Sequence, residues 1–456
     1  MTNLGYIPEE LIAAIATPLA PGALGIVRAS GKNCIEKAAD FFSRPKALKE
    51  AKGNTLVYGW IVDKEQKIDE VMAAVYRAPK SFTGEDMIEI FCHGGTSVVT
   101  SVYNIFLKNG FRAAERGEYT FRAYINGKTD LTRAEAVKEI IDSKTDVSRG
   151  KAAGRLAGNL FEEIDSIKTL ITDTLAAIEV EIEYPEDEET IADAFDDKNL
   201  RQAQERLKSL EESWKSEKLY QDGARIVLCG KTNAGKSSLF NALLKEERAI
   251  VSDIEGTTRD YLESWVNFEG VPGRLFDTAG LRKTDDLIEA AGVEKTVDLS
   301  QEADLILYLV DSTKGLLEED KKFIDSQNGI PLVIVFNKCD ELKNPCSFIY
   351  KDFSVVNISA KKSTGIGQLT SLVNKILTGG QKTQREGTAL GSERQKKCVQ
   401  EALSCVEHAL EVEKKYSLDA LVQDLEDCLD ALGEVTGQVR ADDVLDSVFS
   451  HFCVGK

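Results

Sequence analysis

The sequence is poor in the residues that most often hold metal ions and cross-links. Its only histidines are His93, His408 and His451, so a histidine-rich zinc site is not expected. Nine scattered cysteines without a C-x-x-C pair predict free thiols in a reducing compartment. The chain has no run of 18 apolar residues, and its first residues lack a basic segment followed by an apolar core. We therefore expect a cytoplasmic protein without a membrane span or a signal peptide.

Basic residues are also scarce. The 456 residues include 57 Lys and Arg against 76 Asp and Glu, which gives a net charge of −19. Broad non-specific binding of nucleic acid requires many phosphate contacts from Lys and Arg, so this charge argues against it. A local basic patch or a basic partner protein is still compatible with the composition. The length predicts about three domains.

The strongest chemical signal is the stretch G-K-T-N-A-G-K-S at residues 230–237, which has the pattern of a phosphate-binding loop. An apolar run at 225–229 predicts a buried strand before it, and 238–244 predicts a helix after it. In this context backbone N–H groups can surround a phosphate, Lys236 can reach the β- and γ-phosphates, and Ser237 can ligate Mg²⁺. A chance match in a glycine-containing turn is the alternative. The expected contacts are Asn233, Ala234, Gly235, Lys236, Ser237 and Ser238.

Four further stretches follow at suitable intervals. In Gly256-Thr257-Thr258, Thr258 is our choice for Mg²⁺ and γ-phosphate sensing. In Asp277-Thr278-Ala279-Gly280, the aspartate would hold Mg²⁺ through water and the glycine N–H would meet the γ-phosphate. Asn337-Lys338-Cys339-Asp340 provides a carboxylate for guanine's N1–H and amino group, a donor pair that adenine lacks, and Ser359-Ala360 would support the base. Each stretch is weak evidence alone, but together with the loop they predict GTP binding at strand ends.

The catalytic residues depart from the Ras pattern. Ras-type enzymes place a water-orienting glutamine directly after Asp-x-x-Gly, and here that position is Leu281. Glu289 is the best carboxylate candidate, and an ordinary surface helix residue is the alternative that the pattern alone favours. No arginine finger is identifiable. Asn233, with carbonyls from the 252–257 loop, could instead hold a monovalent cation near the β–γ bridge.

The order of patterns predicts a multidomain α/β protein. We expect an N-terminal α+β domain at 1–120, a helical domain in two parts at 121–220 and 381–456, and an inserted Ras-like P-loop GTPase domain at 221–380 with a mostly parallel, doubly wound sheet. Helices are predicted over 131–142, 147–181 and 192–219 from apolar residues at three- and four-residue spacing. Strands are expected at 12–16, 25–29, 71–76 and 87–92, and nearly continuous apolar runs at 305–310 and 332–336 predict buried strands of a sheet covered on both faces. Residues 378–392 are expected to form a polar linker.

Four stretches outside the nucleotide-binding core resemble the MnmE/TrmE family of tRNA-modification GTPases. They are G-I-V-R-A-S-G at 25–31, F-T-G-E-D at 82–86 with H-G-G at 93–95, G-E-Y-T-F-R-A-Y-I-N-G-K at 117–128, and F-C-V-G-K at 452–456, similar to the family's F-C-I-G-K. The resemblance implies a homodimer made through N-terminal domains that bind 5-formyl- or methylene-tetrahydrofolate. By motif position, Arg28, Glu85, Lys128 and Lys456 would contact the folate.

The same resemblance implies further roles in the nucleotide-binding domain and at the C-terminus. K⁺ would be bound around Asn233, Mg²⁺ would sit on Ser237 and Thr258, and Glu289 would orient water. Cys453 matches a candidate catalytic thiol, and a packing or tail role remains open. The loop expected to contact K⁺ and nucleotide consists of Ser252, Asp253, Ile254, Glu255, Gly256 and Thr257, with Ser252, Ile254 and Thr257 nearest the K⁺.

The function implied by the resemblance is addition of a carboxymethylaminomethyl or aminomethyl group to C5 of the wobble uridine of certain tRNAs. An FAD-dependent partner of the MnmG/GidA type would join it in a heterotetramer. Two alternatives stay open on the sequence: a regulatory GTPase in ribosome assembly, and a folate-dependent one-carbon transferase with another substrate.

Overall fold

The computed structural model describes residues 10–183, 197–245, 249–250, 263–277, 303–327, 329–342, 349–380, 388–412, 418–438 and 442–456. The chain forms two compact units, each assembled from separate parts of the sequence. Unit 1 contains residues 1–138, 160–207 and 392–456, and unit 2 contains 139–159 and 208–391. The domain boundaries expected near residues 120, 220 and 380 stay a prediction.

Unit 1 contains a six-stranded sheet in the order β3-β4-β5-β2-β1-β6. All neighbours are antiparallel except β1 and β6. One face packs on three helices, α1 (Cys34–Ala38), α2 (Pro45–Lys49) and α3 (Thr96–Lys108), around a buried apolar cluster. The strands are β1 (Ile12–Ile15), β2 (Leu24–Ser30), β3 (Thr55–Asp63), β4 (Gln66–Tyr76), β5 (Met87–His93) and β6 (Arg112–Ala113).

The expected strands in this region are confirmed, but two elements were not anticipated. Strand β3 is a nearly continuous apolar run, but it lies at the sheet edge and most of its residues are exposed or only partly buried. Its β-branched and aromatic residues were a usable signal for a strand. The helix α4 (Glu118–Ile125) buries seven of its eight residues, including the charged Glu118 and Arg122. Because a buried charged residue breaks the usual amphipathic pattern, periodicity alone does not reveal this helix.

The helical segments are α5 (Leu131–Asp142), α6 (Asp146–Ala157), α7 (Asn159–Glu183), α8 (Lys198–Asp222), α12 (Glu393–Val412), α13 (Leu418–Thr436) and α14 (Asp442–Ser450). The single helix predicted over 147–181 is wrong. Its pattern belongs to α6 and α7, which are separated by Gly158 with φ +112°. Glycine adopts this left-handed conformation without a Cβ clash, so the helix ends there although the apolar spacing continues. None of the described helices is both long and apolar enough to cross a membrane.

Unit 2 is built on a seven-stranded sheet in the order β13-β12-β11-β7-β10-β9-β8. The five strands from β13 to β10 are parallel, and β9 and β8 continue the sheet as antiparallel strands. All of β12 is buried, and β11 is buried up to its last residue, Asp311, as predicted for strands covered on both faces. The strands are β7 (Ala224–Gly230), β8 (Ala249–Ile250), β9 (Glu263–Phe268), β10 (Val271–Asp277), β11 (Leu305–Asp311), β12 (Leu332–Asn337) and β13 (Ser354–Asn357).

The helices described in this sheet domain are α9 (Lys236–Lys245), α10 (Glu318–Ser326) and α11 (Ile366–Leu377). The predicted mostly parallel, doubly wound P-loop domain is confirmed. Because β7, β10, β11, β12 and β13 are parallel, their carboxyl ends meet at one edge. Ligands of such sheets bind at that edge, which is where the loop at 230–237 lies.

Candidate functional site

The phosphate-binding loop connects β7 to the N-terminus of α9. Gly230, Asn233 and Gly235 all have positive φ angles, of +132°, +66° and +98°. A Cβ at Gly230 would press on the carbonyl of Leu309, so the loop needs glycine there for close approach as well as for its backbone angle. This curled backbone and the following helix N-terminus form the geometry that binds phosphate.

Lys236 is held inside the loop. Its Nζ donates hydrogen bonds to the carbonyl oxygens of Gly230 at 2.6 Å and Lys231 at 3.0 Å. The ammonium therefore lies within the curl of the loop, and its contact with phosphates stays a prediction. Ser237 and Ser238 lie exposed in the first turn of α9, and Asn233 is also exposed.

Asn337 joins three parts of the site. It is the last residue of β12 and is 2 % exposed. Its Nδ2 donates to the carbonyl of Ala234 at 3.0 Å, and its Oδ1 accepts from the N–H groups of Lys338 at 2.8 Å and Ala360 at 3.0 Å. One buried amide thus ties the phosphate loop to the two segments predicted to bind the base.

Asp340 lies in a 3₁₀ turn directly after this strand end. A hydrogen bond with Ser359 is the main cause that lowers the pKa of the Asp340 carboxyl, and nearby lysines lower it further. Lys362 Nζ lies 3.7 Å from Asp340 Oδ2. The carboxyl is therefore ionised at neutral pH, the state in which it can accept two N–H donors from a guanine edge. Ser359 itself is fully buried.

Several charged residues at this edge were not singled out from the sequence. Asp311, the last residue of β11, lies 2.6 Å from Lys338 Nζ through its Oδ2. Lys231 Nζ lies 2.8 Å from Glu319 Oε2 and 3.8 Å from Asp320 Oδ1 of α10. A carboxylate that ends an apolar strand was a usable signal for Asp311, whereas nothing local in the sequence links Lys231 to α10.

Many of the expected nucleotide and metal contacts lie outside the described residues. Asp277 ends β10, where its backbone pairs with Leu228, and the structure describes nothing of its side chain. The catalytic candidate Glu289 is outside the described ranges, as are all expected contacts from two loops. These contacts are Ser252, Asp253, Ile254, Glu255, Gly256, Thr257, Thr258, Thr278, Ala279 and Gly280. The site is therefore described on its phosphate-loop and base sides.

A second cluster of expected site residues lies in unit 1. Arg28, on β2, donates from Nη1 to the carbonyl of Gly455 at 2.8 Å and from Nε to Glu89 Oε1 at 3.1 Å. The backbone N–H of Tyr119 donates to the Lys456 carbonyl at 3.1 Å. The C-terminal F-C-V-G-K segment therefore lies beside Arg28 and the start of α4, as the joint use of Arg28 and Lys456 requires.

Glu85 is held by a buried arginine that sequence reasoning missed. Glu85 Oε2 accepts from Arg122 Nη1 at 3.0 Å and from Ser30 Oγ at 2.8 Å. Arg122 is fully buried and also donates to Glu118 Oε1 and to the carbonyl of Glu10. Arg122 stands within the resembling stretch at 117–128, but its burial follows from tertiary packing that no spacing reports.

Lys128 lies against the loop that carries Glu85. Its Nζ donates to the carbonyl of Pro79 at 3.0 Å, and a Cβ on Gly84 would be 3.3 Å from Lys128 Cγ. Arg28 on β2 and the Glu85 loop are linked through Ser30 at the end of the same strand. The structure therefore brings the four residues expected to contact folate to one region of unit 1.

Cys453 has an exposed side chain. Its carbonyl accepts from the N–H of Lys456 at 3.3 Å, which closes the C-terminal turn, and Val454 pairs with Arg116 in an isolated bridge. Among the described residues no group of three or more His, Cys, Asp and Glu side chains is arranged to hold a metal ion.

Two family models match the chain. The MnmE helical domain matches residues 131–453, and the N-terminus of GTP-binding protein TrmE matches residues 11–128. The tRNA modification GTPase MnmE of Treponema denticola is 53% identical over 468 residues, covering 99% of each chain. The protein of the same name from Borrelia turicatae is 41% identical, covering 100% of each chain.

Solved structures also match part of the chain. The crystal structure of Era from Aquifex aeolicus bound to GDP and aluminium fluoride is 26% identical, with a TM-score of 0.28, and the match covers 40% of this chain and 66% of that one. The family models and the full-length relatives cover both the N-terminal sheet and the C-terminal helices. On that end-to-end similarity, the chain belongs to the MnmE family of tRNA modification GTPases.

Proposed function

We propose that this chain binds GTP with Mg²⁺ and hydrolyses it as part of a tRNA modification reaction. The observation that carries the proposal is the buried Asn337 amide, which holds the phosphate loop next to an ionised Asp340. This arrangement suits a ligand that has both a phosphate chain and a guanine edge. Phosphate release from GTP but not ATP by the purified protein tests it, and equal turnover of both nucleotides would contradict the assignment of Asp340.

Hydrolysis requires attack of water on the γ-phosphorus as the bond to the β–γ bridging oxygen breaks. The ammonium of Lys236 neutralises charge on the phosphates. Ser237 and Thr258 are proposed Mg²⁺ ligands, with Asp277 and the Gly280 N–H near the metal and γ-phosphate. The remaining proposed nucleotide contacts are Ala234, Gly235, Ser238, Thr278, Ala279, Lys338 and Ala360.

We assign the orientation of the attacking water to Glu289, since leucine at 281 cannot hydrogen-bond water. The Glu289→Ala variant is expected to keep GTP affinity and lose turnover. Loss of affinity with unchanged turnover would show that Glu289 is structural.

A K⁺ ion near Asn233 is proposed to supply the positive charge that an arginine finger gives other GTPases. Asn233 is exposed at φ +66°, at the outer side of the phosphate loop. Carbonyls of Ser252 and Ile254 and the Thr257 region would complete the ligand set. Hydrolysis in K⁺ should be substantially faster than in Na⁺ at equal ionic strength, and equal rates would remove this role from Asn233.

The cluster in unit 1 is proposed to bind a reduced folate carrying a formyl or methylene group. Arg28, Lys128 and Lys456 offer cations for glutamyl carboxylates, and Glu85 offers an acceptor for pterin N–H groups. Arg122 and Ser30 both donate to Oε2 of the Glu85 carboxylate, so Oε1 is the oxygen proposed to accept from a ligand. Titration with 5-formyltetrahydrofolate tests this site, and absence of binding by the dimeric protein would contradict it.

We propose that two copies pair through the open face of the unit 1 sheet. One row across four strands is apolar: Tyr58 lies opposite Met72, Met72 opposite Phe91, and Phe91 opposite Ile26. Tyr58 and Met72 are 48% and 36% exposed. Exposed apolar rows of this kind mark interaction surfaces. Sedimentation of the wild type and of Met72→Glu tests the proposal, since a charge in this row should dissociate a dimer.

The reaction we propose is modification of C5 of the wobble uridine by a carboxymethylaminomethyl or aminomethyl group. The folate would donate one carbon, and an FAD-dependent MnmG/GidA-type partner would form a heterotetramer with the chain in the cytoplasm. Mass spectrometry of wobble-position nucleosides with and without the gene tests this directly. Unchanged nucleosides together with folate binding would favour a one-carbon transferase with another substrate, and no folate binding would favour a regulatory GTPase.

A further inference from the structure

We propose that Asp311 is a positioning residue for guanine-nucleotide binding, acting through Lys338. The inference rests on the proposed GTP binding and adds a residue that lies outside the phosphate loop and outside the N-K-C-D stretch. Its basis is a carboxylate at the end of β11 that holds the ammonium of Lys338 at 2.6 Å, at the strand edge where the base site is expected.

Lys338 is fixed at both ends. Its backbone is in the left-handed conformation at φ +64°, and its N–H donates to Asn337 Oδ1 at 2.8 Å. Its Nζ donates to Asp311 Oδ2. A lysine held at the backbone and at the ammonium has a restricted alkyl stem, and a methylene stem of this kind packs on flat apolar surfaces such as a nucleobase face. The lysine is thus ordered before any nucleotide arrives, which lowers the cost of binding.

Asp311 is itself held in place for this task. Its Oδ1 accepts from the backbone N–H of Thr313 at 3.0 Å and from Thr313 Oγ1 at 2.7 Å. Each carboxylate oxygen therefore has a separate role, one closing the turn after β11 and the other binding Lys338. The Asp311 side chain is 11% exposed and that of Lys338 is 30% exposed, so the pair is only partly screened by water.

The pair also protects the base-reading carboxylate. Lys338 and Asp340 are two residues apart, and a free lysine ammonium would be attracted to the nearest carboxylate. Asp340 must keep its acceptor oxygens available for guanine N–H groups. Because Asp311 binds the Lys338 ammonium, the lysines that act on the Asp340 carboxyl among the described residues are Lys362, whose Nζ lies 3.7 Å from Oδ2, and Lys361. Loss of Asp311 would release a competitor for the Asp340 oxygens.

The test is nucleotide affinity in the full-length Asp311→Asn variant. Asparagine keeps the oxygen that closes the Thr313 turn and removes only the charge that holds Lys338. We expect the Kd for fluorescent GDP and the KM for GTP to rise about tenfold, with kcat and the melting temperature little changed. Asp311→Glu, which restores the charge, should recover part of the affinity. The matched control is Asp325→Asn, because Asp325 pairs with Lys351 at the same 2.6 Å elsewhere in unit 2.

A double-mutant cycle with Lys338→Met distinguishes an effect of Asp311 through Lys338 from a general weakening of the nucleotide site. If Asp311 acts through Lys338, the double variant should lose much less affinity than the product of the two single losses. Unchanged Kd in Asp311→Asn, or a fully multiplicative double variant, would overturn the inference. If the wild type itself fails to bind GDP or GTP, it is the proposed GTP function that fails.

Discussion

Removal of the Asn337 side chain should disconnect the phosphate loop from the base-binding segments. In Asn337→Ala three hydrogen bonds are lost, two accepted by Oδ1 and one donated by Nδ2 to Ala234. A typical intramolecular hydrogen bond contributes about 0.5–1.5 kcal/mol, so the three together contribute about 3 kcal/mol. Because the amide is 2 % exposed, water cannot easily replace these bonds.

This energy should appear mainly as nucleotide affinity. The bonds hold Ala234 and Ala360 in one arrangement, and a loop released from it must be reordered by the ligand. If all of the roughly 3 kcal/mol is lost from binding, the Kd for GDP rises about 100-fold. Stopped-flow binding of a fluorescent GDP measures this, together with thermal unfolding of the free protein.

The matched control is Asn374→Ala on α11. Asn374 Nδ2 donates to the carbonyls of Phe268 at 2.9 Å and Glu269 at 3.3 Å, in the turn between β9 and β10. This variant should lower the free energy of unfolding with little change in GDP affinity. If Asn337→Ala bound GDP as tightly as the wild type, or if both variants lost the same GDP affinity, Asn337 would not be the residue that connects the phosphate loop to the base-binding segments.

Two further outcomes follow from named residues. Asp340→Asn should lose GTP affinity and gain affinity for xanthosine triphosphate, because the asparagine amide can donate to the xanthine 2-carbonyl, which the aspartate carboxylate repels. Competition against fluorescent GDP measures both affinities, and an unchanged preference for GTP would remove Asp340 from the base site. Phe449→Ala should lower the free energy of unfolding by about 3–5 kcal/mol in a urea titration, because it removes a fully buried ring. The centroid of this ring lies 5.3 Å from the ring centroid of Phe121 and 5.6 Å from that of Phe452. A decrease in the free energy of unfolding of less than about 1 kcal/mol would show that this aromatic cluster does not anchor the C-terminal segment.

The parts of the site that could be predicted from sequence are those whose chemistry is local. The phosphate loop requires glycines at positions of positive φ and a lysine at the helix start, and these occur within eight residues. The N-K-C-D stretch likewise combines a strand end with its carboxylate. In contrast, Arg122 reaches Glu85 across 37 residues and Asp311 reaches Lys338 across 27. The fold sets these pairings, so a single sequence can mark one partner, such as the carboxylate that ends β11, but does not identify the pair.

The fold follows the same division. Buried strands β11 and β12 are continuous apolar runs and were predicted correctly, whereas the edge strand β3 and the buried helix α4 were missed. The break between α6 and α7 shows a second limit. Apolar spacing continues through Gly158, but one left-handed residue ends the hydrogen-bonded helix. Periodicity reports which face is buried and does not report where the chain turns.

The return of the chain from the nucleotide-binding domain also differs from the expected polar linker. Within unit 2, Leu390 is fully buried and Ala389 nearly so. The carbonyl of Ala389 accepts from Arg155 Nη1 at 3.3 Å, and Arg155 also binds the buried Glu217 of α8 at 3.0 Å. Lys151 of α6 pairs with the same glutamate.

A buried charge cluster is costly to break, because removal of one partner leaves another charge unpaired at a cost of about 3–5 kcal/mol. The residues at 389–390 are therefore held to α6 and the last part of α8 more firmly than a solvated linker would hold them. Movement of the nucleotide-binding sheet should carry these helical segments with it. These buried contacts favour joint movement of α6, the last part of α8 and residues 389–390 within unit 2.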